Sequence, residues 1–292
     1  MLGFFLSVSA LAQTRRALVI GLGEQQDNNW CKINGDKDVP LVCEMLRACG
    51  YKRQNIRTLI NNQATRYNID QAFKSLSSQC KAKDIVYVHF SGHGQLVTDI
   101  NGDDNNPLAL EESWIPFDAY FQPCANDWGE NHLIDDQIYI YLKNIANKIG
   151  KDGRMLVAVD ACHSGGSTLG SNEDEEVVRG ISEDGDTAVF NISRGVYDEF
   201  KMGPFSSMVA AYQGSEDWLT IAACGKYQDN QEVRKPDVGS VGKLTYALYY
   251  LVKKGHTDKK GVVEFMNKNP GRSPQDPQFS GNVTYLMSDV LK

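Results

Sequence analysis

Two short segments of the chain carry side chains that could act together as a nucleophile and its base. His93 lies within Ser-Gly-His-Gly at 91–94, and Cys162 lies within Asp-Ala-Cys-His-Ser-Gly at 160–165. A thiol is mostly protonated near neutral pH, and a neighbouring imidazole can shift it toward the thiolate and later protonate a leaving group. The flanking glycines let backbone approach a substrate carbonyl closely, so the amides of Gly94 and Cys162 could face a developing oxyanion. Taken separately, each residue is more simply a buried structural cysteine or a hydrogen-bonded histidine.

The elements that must position this pair are strands. Short apolar runs rich in β-branched and aromatic residues predict four buried strands, and a weaker run predicts a fifth. The strong runs are Ala17–Ile20, Ile85–Phe90, Met155–Val159 and Trp218–Ala223, and the weaker run is 55–60. Two of these strands lead directly into the segments that hold His93 and Cys162.

Helical patterns fill the intervals between the strands. Apolar residues at helical spacing predict helices over 38–49, 68–79, 135–149 and 242–254. Strands that alternate with helices predict an α/β fold, with a mainly parallel sheet covered by helices on both faces. Reactive side chains in such sheets collect at the carboxyl ends of the strands. His93 and Cys162 are therefore expected at the same edge.

The predicted helices have residues typical of their ends. Asn68 and the pair Asp135-Asp136 stand where N-caps are expected. Glycines that would stop a helix follow three of the four patterns, at Gly50, Gly150 and Gly255.

Composition narrows the classes of protein. The chain has 292 residues, of which 41% are hydrophobic and 23% charged, with a net charge of −7. These values are typical of a globular protein and exclude collagen-like, low-complexity and wholly disordered chains. The acidic balance gives no sequence-independent grip on nucleic acid or anionic lipid, so we expect no nucleic-acid partner.

The N-terminus predicts export. Residues 1–12 are apolar and end in Ala-Leu-Ala, the small-x-small pattern of a signal-peptide cleavage site, although no Lys or Arg precedes the apolar run. A hydrophobic tail or an edge strand is the alternative. The run is far shorter than the roughly 20 residues of a membrane span. An exported chain would permit disulfides among its seven cysteines, which contain no Cys-x-x-Cys motif.

One segment interrupts the alternation of strands and helices. Residues 167–205 are polar and acidic without a sustained period, and strand patterns resume after them. We interpret them as a long exposed loop inside one domain that spans 13–292. The loop would separate a larger part, about 13–166, from a smaller one, 206–292.

The two chemical segments, in this order, resemble the signature blocks of the metacaspases in the caspase-like cysteine peptidase clan. The resemblance covers nearly the whole chain from about residue 15. It extends to Asp38-Val39, Gly50-Tyr51, Ile115–Asp118, Asp135-Asp136 and Gly242–Ala247. It implies a caspase-like three-layer sandwich and a cysteine endopeptidase. By resemblance His93 is the general acid and base, Cys162 is the nucleophile, and the amides of Gly94 and Cys162 are the oxyanion donors.

The resemblance also implies a specificity. Metacaspases cleave after Arg or Lys, and their pocket acids match Asp38 and Asp160, with Ser91 lining the pocket. A buried pair of carboxylates selects a guanidinium or an ammonium group, which agrees with this assignment. The expected partners are therefore proteins or peptides with Arg or Lys at the cleaved position. Without the resemblance, Asp160 would be interpreted as a turn cap and Asp38 as a helix N-cap.

Calcium is a further implication, because many metacaspases need it, although the chemistry itself requires no cofactor. The family's ligands correspond here to Glu111 or Glu112 and to Asp135 and Asp136, an oxygen-only set that suits Ca²⁺. The chain departs from the family seven residues after the nucleophile, where Leu169 replaces a further ligand. Asp135 and Asp136 could instead cap a helix.

Metacaspases commonly process themselves after the nucleophile. The basic residues of the 167–205 loop are Arg179, Arg194 and Lys201. Arg179 is the first choice, since a small Gly follows it and acidic neighbours favour its exposure, and Arg194 and Lys201 are the alternatives.

Two other classes of function remain open at this stage. One is a catalytically idle caspase-like module with a binding or regulatory role. The other is a thiol-dependent acyl transferase of another clan on a flavodoxin-like sheet. The presence of His93, Cys162, Asp38 and Asp160 together argues against an idle module.

Overall fold

A computed structural model describes most of the chain. The described residues are 13–98, 110–161, 179, 189–190, 216–225, 228–269, 271 and 273–292. Residues 1–12, Cys162, Leu169, Arg194 and Lys201 lie outside them, so the predictions that depend on these positions are not addressed by the structure.

Twelve strands and five α-helices make up the described part. The strands are β1 (Arg15–Gly21), β2 (Ile56–Ile60), β3 (Ile85–Ser91), β4 (Gly94–Thr98), β5 (Leu110–Trp114), β6 (Leu133–Ile134), β7 (Arg154–Asp160), β8 (Val189–Phe190), β9 (Leu219–Ala222), β10 (Glu232–Lys235), β11 (Gly239–Gly242) and β12 (Gln278–Gly281). The helices are α1 (Gly35–Ala48), α2 (Arg66–Gln79), α3 (Asp135–Ile149), α4 (Lys243–Lys253) and α5 (Lys259–Lys268).

The central sheet has the order β12-β9-β7-β3-β1-β2. The neighbouring strands from β9 to β2 run parallel to one another, and β12 is antiparallel to β9. The five predicted strands all form, and they are the five parallel strands. Connections through helices allow this parallel arrangement.

Alternating side chains along the strands feed two separate cores. On β1, Ala17 and Val19 face one core, whereas Leu18 and Ile20 face the other. The first core is covered by α1, α4 and α5, and the second by α2 and α3. The result is the predicted α/β sandwich of three layers, with a mostly parallel sheet between two layers of helices.

Helix starts differ from the sequence prediction at three places. Helix α2 begins at Arg66 and is capped by Thr65, whose hydroxyl accepts the Asn68 amide at 3.2 Å, so Asn68 is not the cap. Helix α3 begins at Asp135, which places Asp135 and Asp136 in its first turn, where the helix dipole favours acidic residues. Helix α1 begins at Gly35, so Asp38 lies inside the helix and is not an N-cap.

The predicted helix ends are confirmed. Gly50, Gly150 and Gly255 follow α1, α3 and α4, with φ angles of +81°, +65° and +74°. These angles lie in the left-handed region that glycine enters without steric cost.

A smaller sheet with the order β6-β5-β4-β8 packs beside the central one. Its strand β8 lies within the segment 167–205 and pairs in parallel with β4. Phe190 of β8 is 1% exposed and packs with Val97 and Ile134. The prediction that this segment is an exposed loop is therefore wrong at β8, because an apolar residue there completes a small core.

Two absences hold for the described part of the chain. Each of its helices is too short or too polar to act as a membrane span. The cysteines in the described ranges carry free thiols, so no disulfide forms among Cys31, Cys43, Cys49, Cys80, Cys124 and Cys224.

A buried histidine links the smaller sheet to the loop before β6. His132 is 1% exposed, its Nε2 lies 3.0 Å from Gln95 Oε1, and its ring packs on Phe190 at 4.1 Å. Its Nδ1 lies 3.7 Å from Asp127 Oδ2. Burial lowers the pKa of His132 to about 3, so the fold holds the neutral imidazole.

This burial predicts a pH dependence of stability. In the unfolded chain the imidazole titrates near 6.5, so below that pH the unfolded state binds a proton that the folded state refuses. Stability that is present above pH 6.5 is lost as the pH falls. Between pH 7 and pH 5 we expect the unfolding free energy of the wild type to drop by about 2 kcal/mol more than that of His132→Gln.

Denaturant unfolding at both pH values provides the measurement. His256→Gln is the matched control, because His256 is exposed on the turn after α4, and it should show the wild-type drop. Equal drops in His132→Gln and the wild type would mean that the fold accepts the proton on His132, through Asp127.

Candidate functional site

The two chemical segments meet at one edge of the central sheet, as the sequence predicts. Strands β3 and β7 are adjacent and parallel, and their last residues, Ser91 and Asp160, are register partners. The amide of Gly92 donates to the Asp160 carbonyl at 3.4 Å. His93 follows β3, and Cys162 follows β7 by two residues. The structure therefore brings the His93 segment beside the start of the Cys162 segment, while Cys162 itself lies outside the described residues.

His93 stands between the two sheets. Strand β4 begins at Gly94, and the His93 carbonyl accepts the Ile115 amide at 3.1 Å. The side chain is 1% exposed, and its Nε2 lies 2.8 Å from the Cys31 carbonyl oxygen. A carbonyl only accepts, so Nε2 carries the hydrogen and Nδ1 is the basic nitrogen.

The basic nitrogen of His93, Nδ1, is not engaged in a hydrogen bond with any described residue. Burial lowers the pKa of His93 to about 4, against the hydrogen bond to Cys31, which raises it, and the charge of Arg179 lowers it further. At neutral pH the ring is therefore an uncharged proton acceptor.

Trp30 holds the other side of this imidazole. The two ring centroids are 5.0 Å apart, and Trp30 Nε1 donates to the Ala119 carbonyl at 3.0 Å. Trp30 packs with Ile115 and Ala119 in a small core of its own. The sequence analysis missed Trp30 and Cys31, and the available signal was a single tryptophan inside the polar stretch 24–32.

The predicted pocket residues also converge. Asp38, Asp160 and Ser91 are each 0% exposed. The Ser91 hydroxyl donates to Asp38 Oδ2, and the Gly242 amide donates to Asp38 Oδ1 at 2.9 Å. A Cβ at Gly242 would lie 2.1 Å from Asp160 Oδ2, so this position has no room for a side chain. The structure supports neither alternative role, a helix N-cap for Asp38 or a turn cap alone for Asp160.

A chain of hydrogen bonds beneath the pocket orients Asp160. The Thr245 amide and hydroxyl both reach Asp160 Oδ2, at 2.7 and 2.6 Å. The Thr245 hydroxyl lies 3.2 Å from His89 Nε2, and His89 Nδ1 lies 3.1 Å from the Tyr87 hydroxyl. Burial lowers the pKa of His89 to about 4, so the ring is neutral. Because the Thr245 hydroxyl donates to Asp160, it accepts from His89 Nε2, which leaves Nδ1 to accept from the Tyr87 hydroxyl.

Arg179 fills this pocket. Its guanidinium is 0% exposed, and Nη1 lies 2.8 Å from Asp38 Oδ2, 3.6 Å from Asp160 Oδ1 and within hydrogen-bond distance of Ser91 Oγ. Burial raises the pKa of Asp38 to about 6, while the charge of Arg179 opposes this and the neighbouring Asp160 adds to it. The expectation that Arg179 is exposed is wrong, because its charge is satisfied in the interior.

A third carboxylate completes the pocket, and the sequence analysis missed it. Glu232, at the start of β10, accepts from Arg179 Nε at 3.1 Å. The Arg179 main chain is bound as well, since its amide donates to the Asn230 carbonyl at 2.8 Å. Asn230 Nδ2 in turn donates to Asp160 Oδ1 at 2.8 Å. Polar residues before a short hairpin gave no pattern from which to infer this contact.

The predicted calcium ligands divide between two surroundings. Glu111 is 3% exposed, whereas its neighbour Glu112 lines a cleft of about 450 Å³ together with Asp135 and Asp136. Within the described ranges, no group of three or more His, Cys, Asp or Glu side chains is placed to hold a metal ion. The cleft gathers candidate oxygens, but they do not form a ligand set in this arrangement.

Comparisons of the fold agree with this geometry. A solved structure of a Geobacter sulfurreducens protein matches with a TM-score of 0.59 and 22% identity, over 91% of this chain and 92% of that chain. Caspase-1 from Spodoptera frugiperda matches with a TM-score of 0.54 and 12% identity, over 94% of this chain and 88% of that chain. At these identities the likeness shows a caspase-like fold and nothing further.

Comparison with related sequences and with a family model assigns the chain to a protein family. Metacaspase-1A of Aspergillus oryzae is 28% identical over 96% of this chain and 60% of its own length. Metacaspase-1A of Neurospora crassa is 26% identical over 74% of this chain and 48% of its own length. This chain thus spans about half to three fifths of these relatives. The family model for the metacaspase, peptidase C14 domain matches residues 15–169, more than half of the chain, and the chain therefore belongs to the metacaspase family.

Proposed function

We propose that this protein is a cysteine endopeptidase that cleaves peptide bonds after Arg or Lys through Cys162 and His93. The observation that carries the proposal is the buried acidic pocket, which holds a guanidinium beside the segment that leads into Cys162. Asp38, Asp160 and Ser91 line it, as the family resemblance implies. Its substrates would be proteins or peptides that present a basic side chain.

His93 has the features that the proposed chemistry needs. Cys162 would transfer its proton to Nδ1 of His93, and the thiolate would attack the carbonyl carbon of the bond to be cleaved. The Cys31 carbonyl would stabilise the imidazolium that forms, because it already faces the Nε2 hydrogen. We assign the amides of Gly94 and Cys162 to the developing oxyanion. His93 would then protonate the leaving amine, and a water activated by the same nitrogen would hydrolyse the thioester.

The contacts of Arg179 support self-processing at the bond between Arg179 and Gly180. A substrate held in this site needs its basic side chain in the acidic pocket and its main chain fixed alongside. Arg179 meets both conditions, through Asp38 and Asp160 on one side and through the Asn230 carbonyl on the other. Arg194 and Lys201 remain alternative sites.

Other classes of function find less support. An idle caspase-like module would not need, next to an intact acidic pocket, a basic nitrogen on His93 that the described residues leave unpaired. An acyl transferase of another clan would not need a pocket for a cationic side chain. Export, which rests on residues 1–12 alone, stays a prediction that N-terminal sequencing of the mature protein would test.

The proposed pair predicts the effect of removing either partner. Cys162→Ala and His93→Ala should each lower kcat/KM on an Arg-containing fluorogenic peptide by about three orders of magnitude or more, because the two groups act as a unit. Unfolding curves would show that both variants fold. Cys43→Ala is the matched control, since Cys43 is a half-buried thiol on α1 away from the pocket. A folded Cys162→Ala protein with substantial turnover would contradict the assignment.

Self-processing predicts defined fragments. On incubation, the wild type should be cut after Arg179, and mass spectrometry should find fragments that end at Arg179 and begin at Gly180. Cys162→Ala should stay intact, and Arg179→Gln should lose this cut while Arg194→Gln keeps it. An intact wild-type chain that still cleaves peptides, or equal cutting of Cys162→Ala, would overturn the proposal. Cleavage at Arg194 or Lys201 would correct only the site.

Calcium activation stays a proposal that rests on the family resemblance. Because the described residues do not form a ligand set, no step of the proposed mechanism passes through the ion. If Glu112, Asp135 and Asp136 bind it, a chelator should abolish peptide cleavage and added Ca²⁺ should restore it. Glu112→Gln and Asp135→Asn should then raise the Ca²⁺ concentration needed for half activity. Activity that is indifferent to both chelator and Ca²⁺ would show that these residues are structural.

A further inference from the structure

The acidic pocket contacts the guanidinium of Arg179 on two sides, and Glu232 provides the contacts on the second side. Asp38, Asp160 and Ser91 all contact Nη1 of Arg179. At the opposite side of the guanidinium, Nε donates to Glu232 Oε1 and Nη2 lies 3.1 Å from the same oxygen. Glu232 is 4% exposed, so its carboxylate faces the guanidinium out of contact with bulk water.

Asn34 holds the Glu232 carboxylate in place with uncharged hydrogen-bond donors. The amide of Asn34 donates to Glu232 Oε1 at 2.7 Å, and Asn34 Nδ2 donates to Oε2. Asn34 is the residue that precedes α1, four positions before Asp38. These neutral donors orient the carboxylate without cancelling its charge, which is available to a cationic ligand.

From this arrangement we infer that the pocket selects Arg over Lys and that Glu232 is the residue that decides this selection. The inference rests on the proposed peptidase function and narrows its substrate class. A guanidinium is a planar fork with donors at both ends, so it can contact carboxylates on two sides at once. A lysine ammonium is a single point charge. When it binds at Asp38 and Ser91, only the aliphatic stem of the lysine lies beside Glu232.

A lysine in the pocket would leave the Glu232 carboxylate without a cationic partner. A buried carboxylate without a cationic partner is strongly disfavoured, even when neutral amides contact it. A charge-assisted hydrogen bond contributes roughly 10- to 100-fold to binding, so a preference of this order is expected for Arg.

A merely structural role for Glu232 gives a different result. Through Asn34, Glu232 joins the start of α1 to the hairpin of β10 and β11. If this tether were its only role, a substitution would weaken cleavage after Arg and after Lys equally. The ratio of the two rates, rather than either rate alone, is therefore the informative quantity.

The test compares kcat/KM for two peptides that differ only in Arg or Lys at the cleaved position. The wild type should prefer Arg, and Glu232→Gln should lower cleavage after Arg roughly 10- to 100-fold with much less effect after Lys. Asp38→Asn should lower both, and Glu44→Gln, a half-exposed glutamate on α1 outside the pocket, should change neither. A wild type that cleaves both peptides equally, or a ratio unchanged in Glu232→Gln, would overturn the inference.

A second measurement does not require peptidase activity. In the Cys162→Ala protein, Arg179→Lys places an ammonium in the same pocket. The loss of stability that it causes should be larger when Glu232 is present than in the Glu232→Gln background, a coupling that a double-mutant cycle isolates. If this coupling is found but neither peptide is cleaved, the proposed function fails while the Arg selectivity stands. Absence of coupling would contradict the role of Glu232.

Discussion

The site depends on the burial of three carboxylates around one guanidinium. Asp38, Asp160 and Glu232 are all nearly inaccessible to solvent, and isolated charges in such surroundings would be strongly destabilising. The structure offsets this cost with hydrogen-bond donors, which include the Ser91 and Thr245 hydroxyls and the backbone amides of Gly242 and Thr245. Because removal of one partner from a buried pair costs about 3–5 kcal/mol, the cation and the carboxylates constrain one another.

This cluster also joins parts of the chain that are far apart in sequence. Asp38 comes from α1, Asp160 from the end of β7, and Glu232 from β10. Arg179 comes from the segment between β7 and β9. The order of the parallel strands brings β3 and β7 together, and the helix after β11 delivers Thr245 beneath them. A basic side chain in the pocket is thus in contact with both parts of the domain at once.

His93 is positioned by different contacts from those that shape the pocket. The Cys31 carbonyl fixes its tautomer, Trp30 packs on its ring, and the smaller sheet begins at the next residue. The imidazole is therefore oriented by backbone and by an apolar cluster, and within the described ranges no carboxylate is hydrogen-bonded to it. The pocket can hold three acidic groups while the ring beside it stays neutral.

The five parallel strands of the central sheet, most of the helices and the edge at which the two chemical segments meet could be predicted from the sequence, whereas the antiparallel strand β12 and the smaller sheets were not predicted. Apolar runs and helical periodicity are local properties, and carboxyl ends of parallel strands share an edge, so His93, Ser91 and Asp160 were predictable as neighbours. The starts of the helices were harder to predict from the sequence. For example, Thr65 rather than Asn68 caps α2.

The polar residues that complete the site depend on contacts between distant parts of the chain, which local sequence patterns do not reveal. Glu232 and Asn34 lie in segments whose local patterns carry no chemical signal, and their roles arise from contacts with residues far away in the chain. The resemblance covered the segment of Thr245 and a lone tryptophan marked the segment of Trp30 and Cys31, but neither signal indicated the contacts that these residues make. The same reason explains the error at Arg179. Its acidic neighbours in sequence suggested exposure, but a buried charge is stabilised by whichever opposite charges fold around it. Two of the three carboxylates, Asp38 and Glu232, lie more than 50 residues away from Arg179 in the sequence.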